Sequence, residues 1–335
     1  MRMTRWIIAP LLGAGVAVAA RRRDALSSSG ALGAAVVGGA VYGAAGVRGS
    51  ALLLLFFGGS TGLSHLSKGR GRTLTTESWD DGDDGDDGDD GDDGDDGDDG
   101  DDGDDGDDGD DAGNGQPFFP RTARADDAGD GPRRTLTQVL ANGGLPAALA
   151  VYGLARPSPG AVAAYGGALA AANADTWATE IGRLSPTAPR MITTGLPAQP
   201  GVSGAVTPLG TLASLAGAAL IGLTWSALTR GAAPTGGLPI GAYRRAARRR
   251  SYRSYALRVT LAGCAGSLAD SLLGATLQAV YVCRACALRT EDRGHAHGGA
   301  PTLTRVRGLP FMTNDAVNLC ASVTGALIAR MVAAD

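Results

Sequence analysis

The chain has 335 residues, of which 44% are hydrophobic but only 5% aromatic, and it contains 53 glycines, unlike an average soluble enzyme. Its net charge of −4 conceals a basic body, because residues 80–111 form an uninterrupted Asp-Asp-Gly repeat that holds most of the acidic residues. This balance favours a membrane protein with Arg-rich loops that handles anionic phosphates or lipids, so we expect the lipid bilayer as a partner and no nucleic acid. Four cysteines in apolar surroundings exclude a disulfide scaffold.

Apolar stretches recur along the whole chain outside the acidic tract. A helix that crosses a membrane needs roughly 20 mostly apolar residues and tolerates Gly and Ala. The stretches are Trp6 to Ala20, Gly30 to Gly46, Ala51 to Leu66, Leu145 to Leu154, Ala161 to Ala178, Leu209 to Leu228, Leu257 to Val282 and Phe311 to Ala333. Because the fourth is short, we predict an all-α, polytopic integral membrane bundle of about 7–8 transmembrane helices in the cell membrane.

The first apolar stretch has a second interpretation. Arg2 and Arg5 precede a short apolar core, and Ala17-Val18-Ala19 resembles a signal-peptide cleavage site. Arg21, Arg22 and Arg23 follow at once, which favours a membrane anchor over a cleaved signal peptide.

The chain divides into three regions by composition. Residues 1–67 form N-terminal transmembrane helices, and residues 135–335 form a C-terminal transmembrane domain that carries the polar motifs. Residues 68–134 lack hydrophobic periodicity and contain the acidic repeat, so we expect a disordered loop that cannot bury enough apolar surface to fold. The repeat resembles an expanded surface loop more than a cation-binding segment.

Orientation follows from the order of the helices. With eight crossings, the connections after the first, third, fifth and seventh share one face, and the polar motifs open onto that face. Its many Arg residues predict that the motif-bearing loops are cytoplasmic. The Arg-rich segment 244–253 falls on the opposite face in this scheme, and the sequence does not resolve that conflict.

Polar residues interrupt three of the apolar stretches. Charges at membrane depth are expensive and are usually functional. The residues are Asn173 and Asp175 in the fifth stretch with Glu180 just after it, Ser267 and Asp270 in the seventh, and Asn314, Asp315 and Asn318 in the last. Interhelical hydrogen bonding explains such serines, but three aspartates are too costly to serve that purpose alone. Asn173 and Asp175 point to different sides of an ideal helix, so this segment is either enclosed by protein or unwound near Asp175.

A Gly-, Ser- and Thr-rich connector follows the fifth stretch. It contains Arg190, Gly201, Ser203 and Gly204, and its backbone N–H groups are suited to phosphate, although an ordinary turn-rich loop has the same composition. Lys68 is the single lysine of the chain. Carboxylates beside a glycine-rich loop and isolated cations have a natural common use, since carboxylates hold Mg²⁺ while cations neutralise phosphate oxygens.

A second metal site is possible after the seventh stretch. Cys283 and Cys286 are followed by His295 and His297, a spacing loosely like a zinc knuckle in a loop that also contains ordinary charged residues.

These motifs resemble an integral membrane family known as domain of unknown function 92, which includes animal transmembrane protein 19 and the plant phytyl-phosphate kinase of tocopherol synthesis. The resembling segments are Gln138 to Gly144, Asn173 to Gly182, Pro189-Arg190, Pro200 to Gly204, Gly210-Thr211, Gly266 to Ala275, Asn314 to Asn318 and the serine-lysine segment from Ser60 to Lys68. The family's Pro-Gly-Thr-Ser-Gly-Gly is here Pro200-Gly-Val-Ser-Gly-Ala205, and His297 stands where a cysteine is expected.

The resemblance implies a kinase that transfers a phosphoryl group from CTP, or another nucleoside triphosphate, to an isoprenyl monophosphate. It implies that Asp175, Glu180, Asp270 and Asp315 bind Mg²⁺ or the nucleotide phosphates. It further implies catalytic roles for three of these residues, Asp175, Asp270 and Asp315. It also implies that phosphates or substrate contact Lys68, Arg190, Gly201, Ser203, Gly204, Asn173, Ser267, Asn314 and Asn318. The alternatives are an ion or small-solute transporter with intramembrane carboxylates and a structural membrane protein. The sequence shows no convincing internal repeat, which favours the enzyme over the transporter.

Overall fold

A computed structural model of the protein describes residues 2–22, 25–76, 133–230, 252–286, 289–291, 293 and 303–334. The described helices are α1 (Arg2–Arg22), α2 (Ser28–Thr76), α3 (Leu136–Ala155), α4 (Pro159–Gly182), α5 (Pro208–Arg230), α6 (Tyr252–Thr276) and α7 (Asn314–Ala334). The strands are β1 (Arg190–Met191), β2 (Ala205–Val206), β3 (Val280–Cys283), β4 (Arg289–Thr290) and β5 (Leu303–Arg307). Helices dominate, as the sequence predicts.

Helix α2 is bent back on itself at Gly46. This residue has φ 65° and ψ −165°, a backbone conformation that glycine adopts without steric cost. Val37 and Phe57 both pack against Gly143 of α3, although a straight helix would separate them by about 30 Å. The two halves of α2 therefore form a helical hairpin, and they correspond to the second and third predicted stretches.

Helix α4 lies at the centre of the bundle, in contact with α2, α3, α5, α6 and α7. Alanine and glycine fill most of its first half, which is fully buried. Small side chains let neighbouring backbones approach closely, as in many membrane helix interfaces. Larger anchors complete the core: Trp225 donates to the Val162 carbonyl at 3.0 Å, and Tyr165 donates to the Gly49 carbonyl at 2.8 Å.

Neighbouring contacts fix the direction of each helix. Ser64 meets Glu180 while Gly49 meets Tyr165, so the second half of α2 runs parallel to α4. Gly166 packs on Trp225 and Gly210 on Gly182, which makes α5 antiparallel to α4. Comparable contacts make α6 parallel and α7 antiparallel to α4. The described connections α1–α2, α4–α5 and α6–α7 consequently lie at one end of the bundle, which we call the loop end.

Two small antiparallel sheets cover the loop end. Strand β1 pairs with β2, and β3 is the centre of a three-stranded sheet in the order β4-β3-β5. The prediction of a helix from Leu257 to Val282 is wrong at its C-terminal part, because α6 ends at Thr276 and Val280–Cys283 is a strand. An apolar run of this kind does not distinguish a strand from a helix by periodicity alone.

Other predicted bounds also shift. Helix α3 begins at Leu136, because Thr135 and Gln138 form a capping box, rather than at Leu145. Helix α2 continues to Thr76, so the first nine residues of the predicted disordered region 68–134 are helical, and residues 77–132 with the acidic repeat lie outside the described residues. The Arg-rich segment 244–251 lies outside them as well.

Four described helices are long and apolar enough to cross a membrane by length and composition. They are the segments Ser28–Ser64, Pro208–Thr229, Ser254–Thr276 and Asn314–Ala333. The first of these contains the hairpin bend at Gly46. A helical membrane bundle agrees with this finding, whereas the number of seven or eight crossings stays a prediction.

Candidate functional site

Two aspartates face each other between α4 and α6 near the loop end. The side chains of Asp175 and Asp270 lie within hydrogen-bonding reach of each other. The Oδ1 atom of Asp270 is buried and has no hydrogen-bond partner among the described residues. A buried carboxylate oxygen without a partner is costly and points to a ligand or cation that would use it.

The pair forms because three helices cross one turn earlier. Gly266 of α6 contacts Ala171 of α4, and a Cβ at Gly266 would come 2.7 Å from the carbonyl oxygen of Ala321 in α7. Asp175 and Asp270 each lie four residues further along parallel helices, so their side chains project from the same level. Of the two sequence-based alternatives for this segment, enclosure by protein is the correct one, because α4 is continuous from Pro159 to Gly182.

Glu180 lies one and a half turns beyond Asp175, at the end of α4. Ser64 of α2 donates a hydrogen bond of 2.6 Å to Glu180 Oε1, and the charge of Arg134 acts on the same carboxylate. Arg183 Nη1 lies 4.0 Å from Glu180 Oε2 and is half exposed, so this ion pair adds little. Glu180 thus connects α4 to the second half of α2, through Ser64, and to Arg134 just before α3.

The glycine-rich loop packs directly on the C-terminal end of α6. Gly204 has φ 87° and lies so close to Ala275 that a side chain at this position would clash with it. Ser203 donates a hydrogen bond to Glu291, and Gln278 donates to the other oxygen of the same carboxylate at 2.6 Å. Arg307 donates to the Gly274 carbonyl at 2.9 Å. We call Ser203, Gln278, Glu291 and Arg307 the loop cluster.

Charge and burial couple the loop cluster to the aspartate pair. Burial raises the pKa of Glu291 above its ordinary value, and the hydrogen bond from Ser203 and the charge of Arg307 oppose this rise. Burial lowers the pKa of Arg307, and the charge of Glu291 opposes that change. The charge of Glu291 also reaches Asp270, one turn before Gly274. The Nε atom of Arg307 is buried without a hydrogen-bond partner in the described part of the chain.

The structure distributes the sequence-predicted residues unevenly around this site. Asn173 is buried and donates to the Gly217 carbonyl at 2.8 Å, so its amide links α4 to α5. Arg190 is exposed and donates to the Gly195 carbonyl within its own turn. Ser267 is buried on α6, and its carbonyl accepts from Ser271. Gly201 has φ 85° and open space around it.

The last predicted cluster lies at the same end of the bundle. Asn314 is exposed at the first residue of α7, Asp315 is half-buried in its first turn, and Asn318 is half-buried one turn later. Lys68 belongs to α2, but its side chain lies outside the description. The structure therefore brings Asp175 and Asp270 together and places Asp315 on the same side of the bundle.

Neither predicted metal site appears as a cluster of ligands. Within the described ranges, no group of three His, Cys, Asp or Glu side chains is close enough to hold a metal ion. An all-protein cage of Asp175, Glu180, Asp270 and Asp315 is therefore absent from that part of the chain. For the zinc prediction, Cys283 is buried in β3 and Cys286 is exposed in the following turn, whereas His295 and His297 lie outside the described residues.

Three members of the loop cluster escaped the sequence analysis. Gln278, Glu291 and Arg307 come from separate connections and strands, and only the pairing of β3 with β4 and β5 brings them together. The sequence signal was limited to charged residues in polar segments that contain other charged residues, which is common in any protein.

Comparison with known proteins defines the class of this fold and site. The family described as Integral membrane protein DUF92 matches residues 120–326, more than half of the chain. The chain belongs to this family of integral membrane proteins, as its motifs predict. No solved structure matches the chain.

Two relatives illustrate the breadth of the family. Protein PGR of Arabidopsis thaliana is 30% identical over 203 residues, which cover 56% of this chain and 65% of the relative. Uncharacterized membrane protein MJ0933 of Methanocaldococcus jannaschii is 32% identical over 202 residues, which cover 59% of this chain and 62% of the relative. The chain thus matches slightly less than two thirds of the length of each.

Proposed function

We propose that this protein is a membrane-embedded phosphotransferase that converts an isoprenyl monophosphate, of the phytyl or geranylgeranyl type, to the diphosphate with CTP or another nucleoside triphosphate. The observation that carries this proposal is the pair of facing carboxyl groups of Asp175 and Asp270 at the loop end of an apolar helical bundle. A polar reaction site bordered by apolar helices suits a substrate with an anionic head and a hydrocarbon tail.

Magnesium fits this site if it is bound jointly by protein carboxylates and substrate phosphates, and not by protein ligands alone. Mg²⁺ is commonly bound through one or two carboxylates together with substrate phosphates and waters. Asp175 and Asp270 supply two carboxylates, and the partnerless Oδ1 of Asp270 is an available ligand atom. These two side chains would hold the ion, which would supply positive charge to neutralise phosphate oxygens during transfer.

The remaining residues then have positioning roles. An oxygen of the prenyl monophosphate attacks the γ-phosphorus of the nucleotide, and the bond from that phosphorus to the β–γ bridging oxygen breaks. The products are the prenyl diphosphate and the nucleoside diphosphate. Gly204 and Arg307 contact α6 at Ala275 and Gly274, about one turn beyond Asp270. The backbone N–H groups of Gly201–Gly204 and the guanidinium of Arg307 are suited to hold phosphate oxygens.

Ion or solute transport is the competing function. Two carboxyl groups that face each other between helices also suit a passing cation. The two functions differ in one chemical outcome, because only the kinase forms a new phosphorus–oxygen bond.

A phosphoryl-transfer assay tests the proposal. Purified protein in detergent with Mg²⁺ receives γ-labelled CTP, and in parallel ATP, together with geranylgeranyl or phytyl monophosphate. We expect Mg²⁺-dependent labelled diphosphate, and a loss of about 100-fold or more in Asp270→Asn if the carboxylate stabilises developing charge.

A matched control separates chemistry from folding. Thr276 is an exposed residue of the same helix whose hydroxyl bonds the Leu272 carbonyl, so Thr276→Val should keep full activity. Folded protein that transfers no label from any nucleotide would overturn the kinase proposal in favour of transport, which proteoliposome uptake would then measure.

A further inference from the structure

An apolar cavity of about 330 Å³ lies between α1, the hairpin of α2 and the start of α3. Its floor contains Val37, Leu53 and Val139, all buried. No residue of the aspartate pair or of the loop cluster lines it. The cavity is therefore a separate feature of the N-terminal helices.

One side of the cavity opens toward the surrounding membrane. Leu12, Val16 and Leu54 line it and are also 45%, 46% and 50% exposed. Lining residues extend from Val47 to Thr61 along the second half of α2, a distance of about 21 Å at the helical rise. This length exceeds one leaflet of the hydrocarbon core, about 15 Å, so a single extended hydrocarbon chain fits along it.

A cation closes the cavity at the loop end. Arg134 is a lining residue whose backbone is fixed by hydrogen bonds of 3.2 Å to Ala25 and Ser27, in the connection between α1 and α2. Burial lowers the pKa of Arg134, while the charge of Glu180 opposes that change. Glu180 is bonded to Ser64, one turn beyond the lining residue Thr61. The polar end of the cavity therefore adjoins Glu180, near the end of α4.

We propose that this cavity binds the tail of a single-chain isoprenoid phosphate, with the head beside Arg134, and that the tail enters sideways from the bilayer. The assignment of this ligand rests on the proposed kinase function. The charge of Arg134 selects an anionic head over an alcohol.

Direct binding tests the assignment without nucleotide or catalysis. The protein in nanodiscs is illuminated with a geranylgeranyl monophosphate that carries a diazirine at the tail, and the labelled peptides are identified by mass spectrometry. We expect labels within residues 9–22 and 34–61, and we expect excess unlabelled geranylgeranyl monophosphate to suppress them.

A cavity-filling variant has a matched control on the same helix. Gly38 lines the cavity, and a Cβ there would meet only the Gly13 backbone at 4.0 Å, so Gly38→Leu places a side chain in the cavity. Gly58 lies outside the cavity and has open space around it. We expect Gly38→Leu to abolish labelling and Gly58→Leu to retain it. Arg134→Gln should weaken binding of the phosphate about tenfold, as expected for a lost charge-assisted hydrogen bond, with no change for geranylgeraniol.

Three outcomes would overturn the assignment. They are labels confined to other helices, labelling of Gly38→Leu at the level of Gly58→Leu, and equal suppression by added phosphatidic acid, which would show that the cavity holds an ordinary bilayer lipid. Failure of the proposed function looks different, because the probe would then bind at this cavity while the transfer assay formed no diphosphate.

Discussion

At the scale of single residues, Asn173 and Asp270 are both polar residues within apolar helices, but they differ in their hydrogen bonding. The amide of Asn173 is satisfied by the Gly217 carbonyl, whereas Asp270 Oδ1 has no partner among the residues described. The hydrogen-bonded amide of Asn173 therefore stabilises the fold, whereas the unpaired carboxylate oxygen of Asp270 is available to a ligand.

We predict that Asn173→Ala lowers the free energy of unfolding by about 1–3 kcal/mol, because it removes the buried hydrogen bond between α4 and α5 and leaves a cavity in place of the amide. Thermal unfolding in detergent, followed by tryptophan fluorescence, measures this change, and Asp270→Asn should show no such loss. An Asn173→Ala protein with unchanged stability and abolished substrate binding would instead support the binding role that the motif implies.

The carboxyl group of Glu291 makes the stability of the folded protein depend on pH. Because burial raises its pKa in the folded protein above the ordinary 4.5, folding takes up a proton between those two values, and stability falls as the pH rises through that window. We predict that Glu291→Gln flattens this part of the stability curve. Unfolding temperatures measured from pH 4 upward test the sign, and a wild-type stability that rises through the window would contradict it.

The sequence located the aspartates but missed the loop cluster, for a physical reason. A charge inside an apolar helix is conspicuous because its desolvation is costly, so Asp175 and Asp270 are visible without a structure. Glu291 and Arg307 lie in polar segments where charges cost nothing locally. Their partnership arises from strand pairing, and no spacing in the sequence encodes it.

At the scale of elements, the glycine-rich loop and α6 depend on one close contact. Gly201 and Gly204 both have positive φ, and only Gly204 touches α6, at Ala275. We predict that Gly201→Ala costs about 1–2 kcal/mol of backbone strain, whereas Gly204→Ala costs this amount and also displaces the loop from α6. Comparing unfolding temperatures and transfer rates isolates the contact, and equal effects of the two substitutions would show that it is unimportant.

Hydropathy predicted which segments form helices better than it predicted where each helix begins and ends. The apolar runs in the sequence predict α4, α5 and α7, because these helices are either buried or long and apolar. The capping box before α3 and the continuation of α2 to Thr76 involve polar residues, which hydropathy does not mark. The reversal at Gly46 was visible as a gap between two stretches, but its geometry depends on the packing of both halves against α3.

At the scale of the whole molecule, the parts divide by function. The family match begins at residue 120, after α1 and α2, which build most of the apolar cavity. The aspartate pair and the glycine-rich loop lie within the matched region. If the proposals hold, the matched part performs the transfer, and the preceding helices determine which hydrocarbon tail is accepted.

The alternating directions of the helices give a prediction about the membrane. Basic residues outnumber acidic ones at the loop end within the described ranges, including Arg21, Arg134, Arg183 and Arg307, which predicts a cytoplasmic loop end. A cytoplasmic nucleotide substrate requires the same orientation.

Cysteine labelling with a membrane-impermeant maleimide measures this orientation. One cysteine is introduced at the exposed Thr187, at the loop end, and another at the exposed Arg156, at the opposite end, with the unsubstituted chain as background. In intact cells we expect Arg156→Cys to be labelled and Thr187→Cys to be protected until the membrane is permeabilised. The reverse pattern would place the aspartate pair on the side that lacks nucleoside triphosphates, and it would contradict the orientation and the kinase together.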